Sequence, residues 1–237
     1  MVIGILTCAG KSSRFINSDF DKPKQLSLLY DKPLFAWSLS IFLGMEYIDE
    51  IYITVSKTIK QDIVNYLNDN LSDSAQHKVK LVNGGNTRQE SVKLALDEIA
   101  KNQQKDFVII HDTARPFVSR KVVDEVYHSL KAYSAAVASL KVVDTLKKVD
   151  GNRVEYIDRS NCYLIQTPQG FHFKTLYDSH LKAVDDNLEF TDDGSLVENY
   201  GVKVFLASGS ILNFKITYSE EFILACEIAS NLHKTTC

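Results

Sequence analysis

Glycines, cations and one well-placed carboxylate gather in five short segments of this chain, and their spacing suits the handling of phosphate. The first is Thr7-Cys8-Ala9-Gly10-Lys11-Ser12-Ser13-Arg14, which directly follows an apolar run. A glycine-centred loop in that position can turn backbone N–H groups toward an anion, with Lys11 and Arg14 adding charge. Two named phosphate motifs fail on inspection. Gly4 and Gly10 stand one residue too far apart for G-x-x-x-x-G-K-[ST], and a loop with a single glycine is not G-x-G-x-x-G. The same residues also suit a tight strand-to-helix turn with solvated charges. Cys8 beside such a loop resembles a nucleophile, but no motif pairs it with a base, so it reads as a packing residue with its backbone in use.

The other four segments carry similar chemistry. In Lys22-Pro23-Lys24-Gln25 the proline fixes the backbone direction and would aim Lys24, although a surface turn with solvated lysines is the plainer reading. In Gly84-Gly85-Asn86-Thr87-Arg88-Gln89-Glu90-Ser91 two glycines permit close backbone approach to a ring or phosphate. Asn86 or Thr87 could also cap the helix that follows. His111-Asp112-Thr113-Ala114-Arg115-Pro116-Phe117 puts a carboxylate just past a buried strand, where it could serve Mg²⁺, an ion that takes one or two protein carboxylates plus phosphate oxygens. An Asp112–Arg115 salt bridge is the structural alternative there. Lys215 alternates with Phe214 and Ile216 as in a strand, so it points away from them, by default onto a solvated face.

These segments need elements to hold them. Apolar runs at 2–6, 48–55, 79–82, 107–110 and 135–140 read as buried strands, and helical periodicity appears at 34–43, 59–71, 87–100 and 121–132. This alternation predicts an α/β fold with a mostly parallel sheet and helices on both faces. Ligands bind such sheets at the carboxyl ends of the strands, where the first, third and fourth segments lie. The rhythm breaks at 142–157, where two alternating runs flank Asp150-Gly151-Asn152 and predict a hairpin able to project as an arm. Further on come a strand near 163–165, helices near 173–184 and 192–200, a strand at 202–206 and a last helix from Ser219. The expectation is a single domain over 1–237 with an arm at about 141–160.

Composition excludes several classes. Ten glycines and four prolines in 237 residues, against usage of about 7% and 5%, argue against collagen-like, linker-rich and disordered chains. The net charge of −3 advertises no nucleic acid. No apolar run is long enough to span a membrane, and the start lacks the basic n-region of a signal peptide. Four cysteines without C-x-x-C spacing suit reduced thiols in the cytoplasm.

Taken in order, TCAGKSSRF, KPKQ, GGNTRQESV, HDTARPF, VVDTLKKV, DRSNCYLIQTPQGF, FTDDGSLVE and NFKIT resemble the motifs of the 2-C-methyl-D-erythritol 4-phosphate cytidylyltransferase family, over nearly the whole chain. The resemblance implies a Rossmann-like nucleotidyltransferase fold, a homodimer formed through the β-arm, and a Mg²⁺-dependent reaction. That reaction joins CTP to methylerythritol phosphate with release of pyrophosphate, in the non-mevalonate route to isoprenoids. It also implies roles residue by residue. Cys8, Ala9, Gly10, Lys11, Ser12 and Ser13 match the loop around the CTP phosphates, and Arg14, Lys24 and Lys215 match the catalytic cations. Gly85, Asn86, Arg88 and Ser91 match cytosine and ribose contacts, and Thr113 matches an adjacent nucleotide contact. Asp112 matches the magnesium-side aspartate. Arg115, Thr145, Arg159 and Thr167 match acceptor contacts, with Thr145 in the arm and Arg159 reaching across the dimer.

The physics suits that reaction. The acceptor's own phosphate attacks the α-phosphorus, so the protein needs no nucleophile and must position two polyanions and neutralise charge. The sequence departs from the family pattern where Ser12 replaces a glycine, Cys8 an alanine, Asn86 a common Asp, Thr113 a common Ala or Gly, and Tyr163 a frequent Trp. A loop needing positive φ at Ser12 would be strained. Three other readings compete. A ribitol-5-phosphate cytidylyltransferase shares the loop, H-D-x-x-R-P and Q-T-P-Q features, but DTLKKV, Arg159-Ser160 and TDDGSLVE lie closer to the first family. A glycosyltransferase would want a D-x-D motif that His111-Asp112-Thr113 does not supply. A non-catalytic nucleotide-binding protein would have little need to keep Arg14, Lys24, Asp112 and Lys215.

Overall fold

The computed structural model describes residues 1–10, 15, 23–101 and 105–234. In chain order it begins with β1 (Val2–Thr7), β2 (Leu28–Leu29), β3 (Lys32–Pro33), α1 (Leu34–Leu43), β4 (Ile48–Val55), α2 (Lys60–Asn70) and α3 (Asp73–Lys78). Then come β5 (Val79–Asn83), α4 (Arg88–Ala100), β6 (Phe107–Asp112), α5 (Arg120–Ser129) and β7 (Ala135–Lys141). The remainder is β8 (Leu146–Asp150), β9 (Arg153–Ile157), β10 (Tyr163–His172), α6 (Phe173–Asp185), α7 (Asp193–Asn199), β11 (Phe205–Ser208) and α8 (Ser219–Lys234).

Among the described residues seven strands form one sheet in the order β11-β7-β10-β6-β1-β4-β5. Pairs β1–β4, β1–β6, β4–β5 and β7–β11 are parallel, and β10 runs antiparallel to both β6 and β7. The central strands are apolar on both faces because helices cover both. Phe42, Ile51, Ile53, Val122 and Val126 pack on one side, joining α1, β4 and α5. On the other, Val92, Leu96, Ile99, Phe171, Leu176 and Leu196 join α4, β10, α6 and α7. Each such side chain contributes about 1.5–3 kcal/mol on burial. Gly4 in β1 lets α1 lie close, since a Cβ there would stand 2.8 Å from the Phe42 ring. A third cluster, with Phe15, Leu34, Phe117, Ile216 and Phe222, seats α8 against the segment after β6 and the segment before α8.

The predicted alternation matches the observed elements closely, and the departures have physical reasons. The strand expected at 163–165 runs on to His172, because its second half is fully buried between β6 and β7. Pro168 is accommodated where the pairing with β7 shifts register between Ile165 and Gln169. The strand expected at 202–206 forms as Phe205–Ser208, in register with Ala136–Ser139, while Val202 and Val204 pack against the core beside it. The short helix α3 was not anticipated; Ser72 caps it by accepting from the Ala75 N–H. Lys215 lies in no strand: 213–217 pairs with nothing as a ladder, although Ile216 still faces the third cluster.

The predicted hairpin forms as β8 and β9, a separate two-stranded sheet. Asp150 pairs with Arg153, leaving a two-residue turn with Gly151 at φ +56°. Positive φ at the first central position is what a II′ turn requires. Val149, Val154 and Tyr156 are exposed on the hairpin. Among the described residues no helix is long and apolar enough to cross a membrane.

Candidate active site

A cleft of about 270 Å³ opens at the carboxyl ends of β1, β4 and β6, where an open α/β sheet presents its loops. Thr7, Ala9 and Gly10 form one wall, and Gly85, Asn86, Thr87, Arg88 and Ser91 form the opposite one. Asp112, Thr113 and Ala114 line it from the end of β6, and Lys24, Gln25, Lys215 and Thr217 complete it.

The two walls touch through glycine. A Cβ on Gly84 would stand 2.2 Å from the Cβ of Ala9. The close approach anticipated for this glycine pair is therefore loop to loop at Gly84. The second wall is also held from within. Thr87 caps α4 by accepting from the Glu90 N–H (3.1 Å), and the Glu90 carboxylate accepts from the Asn86 N–H (2.6 Å). Ser91 Oγ accepts from the Gly85 N–H (3.0 Å) and donates to the Thr87 carbonyl (2.8 Å).

Asp112 is the electrostatic centre. Its Oδ1 accepts from Arg88 Nε (2.9 Å) and from the Thr7 hydroxyl (3.0 Å), and its Oδ2 accepts from Lys215 Nζ (2.6 Å). Burial pushes the carboxyl up, but the Arg88 and Lys215 charges and hydrogen bonds outweigh it and hold Asp112 well below the usual carboxylate range. Arg88 also donates from Nη1 to Asp193 (2.7 Å), and Asp193 takes His180 Nε2 on its other oxygen (2.9 Å). Burial opposes ionisation of Asp193 as well, and the Arg88 charge reverses that. Two carboxylates thus meet the Arg88 and Lys215 cations one for one. Lys24 brings a further ammonium, donating to the Ile216 carbonyl (2.7 Å), and Gln25 donates to the Gly10 carbonyl (2.6 Å).

Behind Asp112 lies a buried scaffold. The Asp112 N–H donates to the Thr167 hydroxyl (3.0 Å), which lies 3.2 Å from His111 Nδ1. His111 Nε2 is 3.1 Å from the Arg115 carbonyl. A carbonyl can only accept, so Nε2 carries the proton and Nδ1 accepts from Thr167, a neutral imidazole. Burial, the largest effect, pushes the His111 pKa down to about 4.

The structure thus brings Ala9, Gly10, Lys24, Gly85, Asn86, Arg88, Ser91, Asp112, Thr113 and Lys215 to one cleft. Lys11, Ser12, Ser13 and Arg14 lie outside the described residues, as does Lys22. Cys8 is buried behind the wall; its N–H donates to the Thr54 carbonyl (3.0 Å), and burial pushes its thiol up to about 12. Arg115 does not pair with Asp112 by its side chain but donates to the Asn213 carbonyl (2.8 Å). Thr167 is buried in the scaffold. Thr145 and Arg159 are exposed and line no part of this cleft; Arg159 donates to the Val143 carbonyl. The solvated face anticipated for Lys215 is instead the Asp112 side of the cleft.

Sequence reasoning assigned no role to Thr7, Gln25, Thr54 or Asp193, while the helix cap it offered to Asn86 or Thr87 is made by Thr87. Gln25 and Asp193 sit inside the quoted KPKQ and FTDDGSLVE segments, which was the available signal. Among the described residues no group of three or more His, Cys, Asp or Glu is gathered as for a resident metal. Asp112 is the carboxylate in the cleft that could hold a magnesium ion, which takes one or two protein carboxylates plus phosphate oxygens.

Residues 2–231 match the family model described as IspD, 2-C-methyl-D-erythritol 4-phosphate cytidylyltransferase. The enzyme of that name from Clostridium novyi is 36% identical over 231 residues, covering 96% of each chain. The one from Clostridium beijerinckii is 35% identical over 238 residues, covering 98% of this chain and 100% of the other. Among solved structures, the 4-diphosphocytidyl-2C-methyl-D-erythritol synthase of Anaerococcus prevotii superposes with a TM-score of 0.83 at 27% identity, covering 97% of this chain and 96% of the other. The Thermus thermophilus 2-C-methyl-D-erythritol 4-phosphate cytidylyltransferase gives 0.75 at 29% identity, covering 95% and 98%.

Proposed function

The chain belongs to the 2-C-methyl-D-erythritol 4-phosphate cytidylyltransferase family, and from that premise we propose how its own residues carry out the reaction. The enzyme joins CTP and 2-C-methyl-D-erythritol 4-phosphate into 4-diphosphocytidyl-2-C-methyl-D-erythritol and pyrophosphate, a step of isoprenoid biosynthesis. The ribitol phosphate alternative is not favoured by these matches.

The assignment of roles is carried by one observation: a buried carboxylate at the end of β6, flanked by Arg88 and Lys215, in a cleft walled by the Gly10 and Gly85 loops. CTP lies with its base and ribose against Gly85, Asn86, Arg88 and Ser91 and its phosphates toward Gly10, Lys24 and Lys215. The acceptor's phosphate oxygen attacks the α-phosphorus in line, and the bond to the β-phosphate oxygen breaks. Negative charge builds on the equatorial oxygens and on the departing pyrophosphate. Lys24 and Lys215 lie on that side to offset it, as ammonium groups positioned in advance, and Arg14, outside the described residues, is assigned to the same task by the family resemblance alone. Asp112 would hold a magnesium ion arriving with the triphosphate, which would supply further charge neutralisation. Cys8 packs and Thr113 braces, its hydroxyl donating to the Thr7 carbonyl (2.8 Å).

The proposal extends to a homodimer. An isolated two-stranded hairpin is marginal in water, and β8–β9 exposes Val149, Val154 and Tyr156. Pairing with a second copy covers them and brings Thr145 and Arg159 to the partner's cleft as acceptor contacts. Pyrophosphate release measured for CTP, UTP and ATP against methylerythritol phosphate and ribitol phosphate tests the reading. Turnover should be confined to CTP with methylerythritol phosphate. Equal rates with ribitol phosphate would remove the acceptor assignment, and near-normal turnover in both Lys24→Ala and Lys215→Ala would remove the roles given to those lysines.

A further inference from the structure

Lys215 sits on a ribbon that no helix or sheet ladder holds, yet its ammonium lies 2.6 Å from Asp112. We propose that Asn213, seated by Gln166, is a positioning residue that fixes this ribbon and so places Lys215. The inference rests on the reading of Lys215 as a cation acting on the transferring phosphate.

The Asn213 side chain is completely buried. Its Nδ2 donates to the Thr167 carbonyl (2.8 Å) and to Gln166 Oε1 (3.1 Å), so two acceptors fix the orientation of the amide. The Asn213 carbonyl in turn accepts from Arg115 Nη1 (2.8 Å). Gln166 is bound as firmly. Its Nε2 donates to the Ser210 carbonyl (3.0 Å), and its Oε1 accepts from the Ser210 N–H (3.2 Å). The side-chain amide therefore pairs with a backbone peptide unit as a neighbouring strand would. Gly209 makes the room, since a Cβ there would stand 2.5 Å from Gln166 Oε1.

The ribbon has other holds: Phe214 packs against the third core cluster and beside Phe117, and the Thr217 N–H donates to the Glu221 carboxylate (2.5 Å). Beyond Lys215, the Ile216 N–H donates to the Ala114 carbonyl (2.8 Å) and its carbonyl receives Lys24 (2.7 Å), while the Ile216 side chain enters the third core cluster. Asn213 is the polar anchor two residues before the lysine, in a buried setting where an unmatched polar group is costly. Asn213→Asp keeps the shape but turns an oxygen toward two oxygens, so it releases the anchor with little change in volume.

A displacement of about 1 Å from productive geometry costs roughly 100-fold in rate. Asn213→Asp should therefore lower kcat by about 10²-fold, with KM for methylerythritol phosphate changed less than threefold and an unchanged far-UV circular dichroism spectrum. Gln166→Glu keeps the acceptor for Asn213 but sets an oxygen against the Ser210 carbonyl. It should lower kcat by a smaller factor, and it serves as the probe if Asn213→Asp does not fold. The discriminating measurement is a kinetic double-mutant cycle with Lys215→Ala. If Asn213 acts through Lys215, either second substitution slows Lys215→Ala by no more than about threefold. Multiplicative losses in the double variants, or wild-type kcat in the single ones, overturn the inference and leave the role of Lys215 standing. Wild-type kcat in Lys215→Ala alone overturns that role and this inference with it.

Discussion

Gly84→Ala is the sharpest perturbation of the cleft, because it inserts one methyl group between the two loops that form its walls. The added Cβ would lie 2.2 Å from the Ala9 Cβ, and carbon atoms rest at about 3.5–4.0 Å. The loops must part by roughly 1.4 Å, or the sheet end must deform. Overpacking of this kind costs about 1–3 kcal/mol, which for a chain of this size lowers Tm by a few degrees. The kinetic effect is larger, since a misplacement of about 1 Å can cost roughly 10²-fold. We expect kcat/KM for CTP to fall by about two orders of magnitude in a pyrophosphate-release assay. Ala9→Gly in the same chain removes the clashing methyl. The next neighbour, Ser91 Oγ, is then 3.2 Å away, so most but not all of the loss should return. Wild-type kinetics in Gly84→Ala, or no recovery in the double variant, would refute the claim that these loops are spaced by that contact.

Four further outcomes follow from the same structure. His111 has its pKa pushed down to about 4 by burial, against about 6.5 unfolded, so its stabilising contribution is complete above about 6.5 and is lost as pH falls toward 4. Wild type should lose about 2 kcal/mol more than His111→Gln between pH 7 and pH 5 in urea unfolding; equal slopes would contradict the burial argument. Asp193→Ala leaves Arg88 and His180 without a shared carboxylate, and should cost about 3–5 kcal/mol, read as a lowered denaturation midpoint. A chelator should abolish pyrophosphate release without changing the circular dichroism spectrum, and magnesium should restore it; loss of structure would point to a resident metal instead. Finally, Val149→Asp combined with Tyr156→Asp on the arm should shift sedimentation to monomer and reduce turnover, and an unchanged dimer would exclude the arm as the interface.

What could be read in the sequence divides along physical lines. Helices such as 34–43 and strands such as 48–55 were legible because their signal is local: apolar period and length. The hairpin tip at Gly151 was legible for the same reason. Lys215 was not. Its alternation with Phe214 and Ile216 suggested a strand, and nothing nearby shows that the opposite side meets Asp112. The ten-residue length of β10 was hidden by Pro168 at its middle, which a register shift accommodates. Asp193 and Asn213 lay inside quoted motifs, but their work is done on Arg88, Gln166 and Thr167, partners that only the folded sheet supplies. Cys8 packs in the core as expected, but its N–H, expected to serve the phosphate loop, is taken by the Thr54 carbonyl, which depends on strand register.

The hydrogen bond from Lys24 to the Ile216 carbonyl joins residues 192 positions apart, and it bears on when activity can arise during synthesis. A ribosome adds about 5–20 residues per second, so the early strands exist for many seconds before the lysine-bearing ribbon emerges. Once Asp112 has been made, Ala9, Gly10, the glycine wall and Asp112 can assemble, yet the wall that Lys215 and Thr217 provide is missing. A nascent chain halted before Asn213 should hold much of its sheet and be unable to turn over. Completion of the catalyst thereby waits on translation of this ribbon rather than on formation of the core.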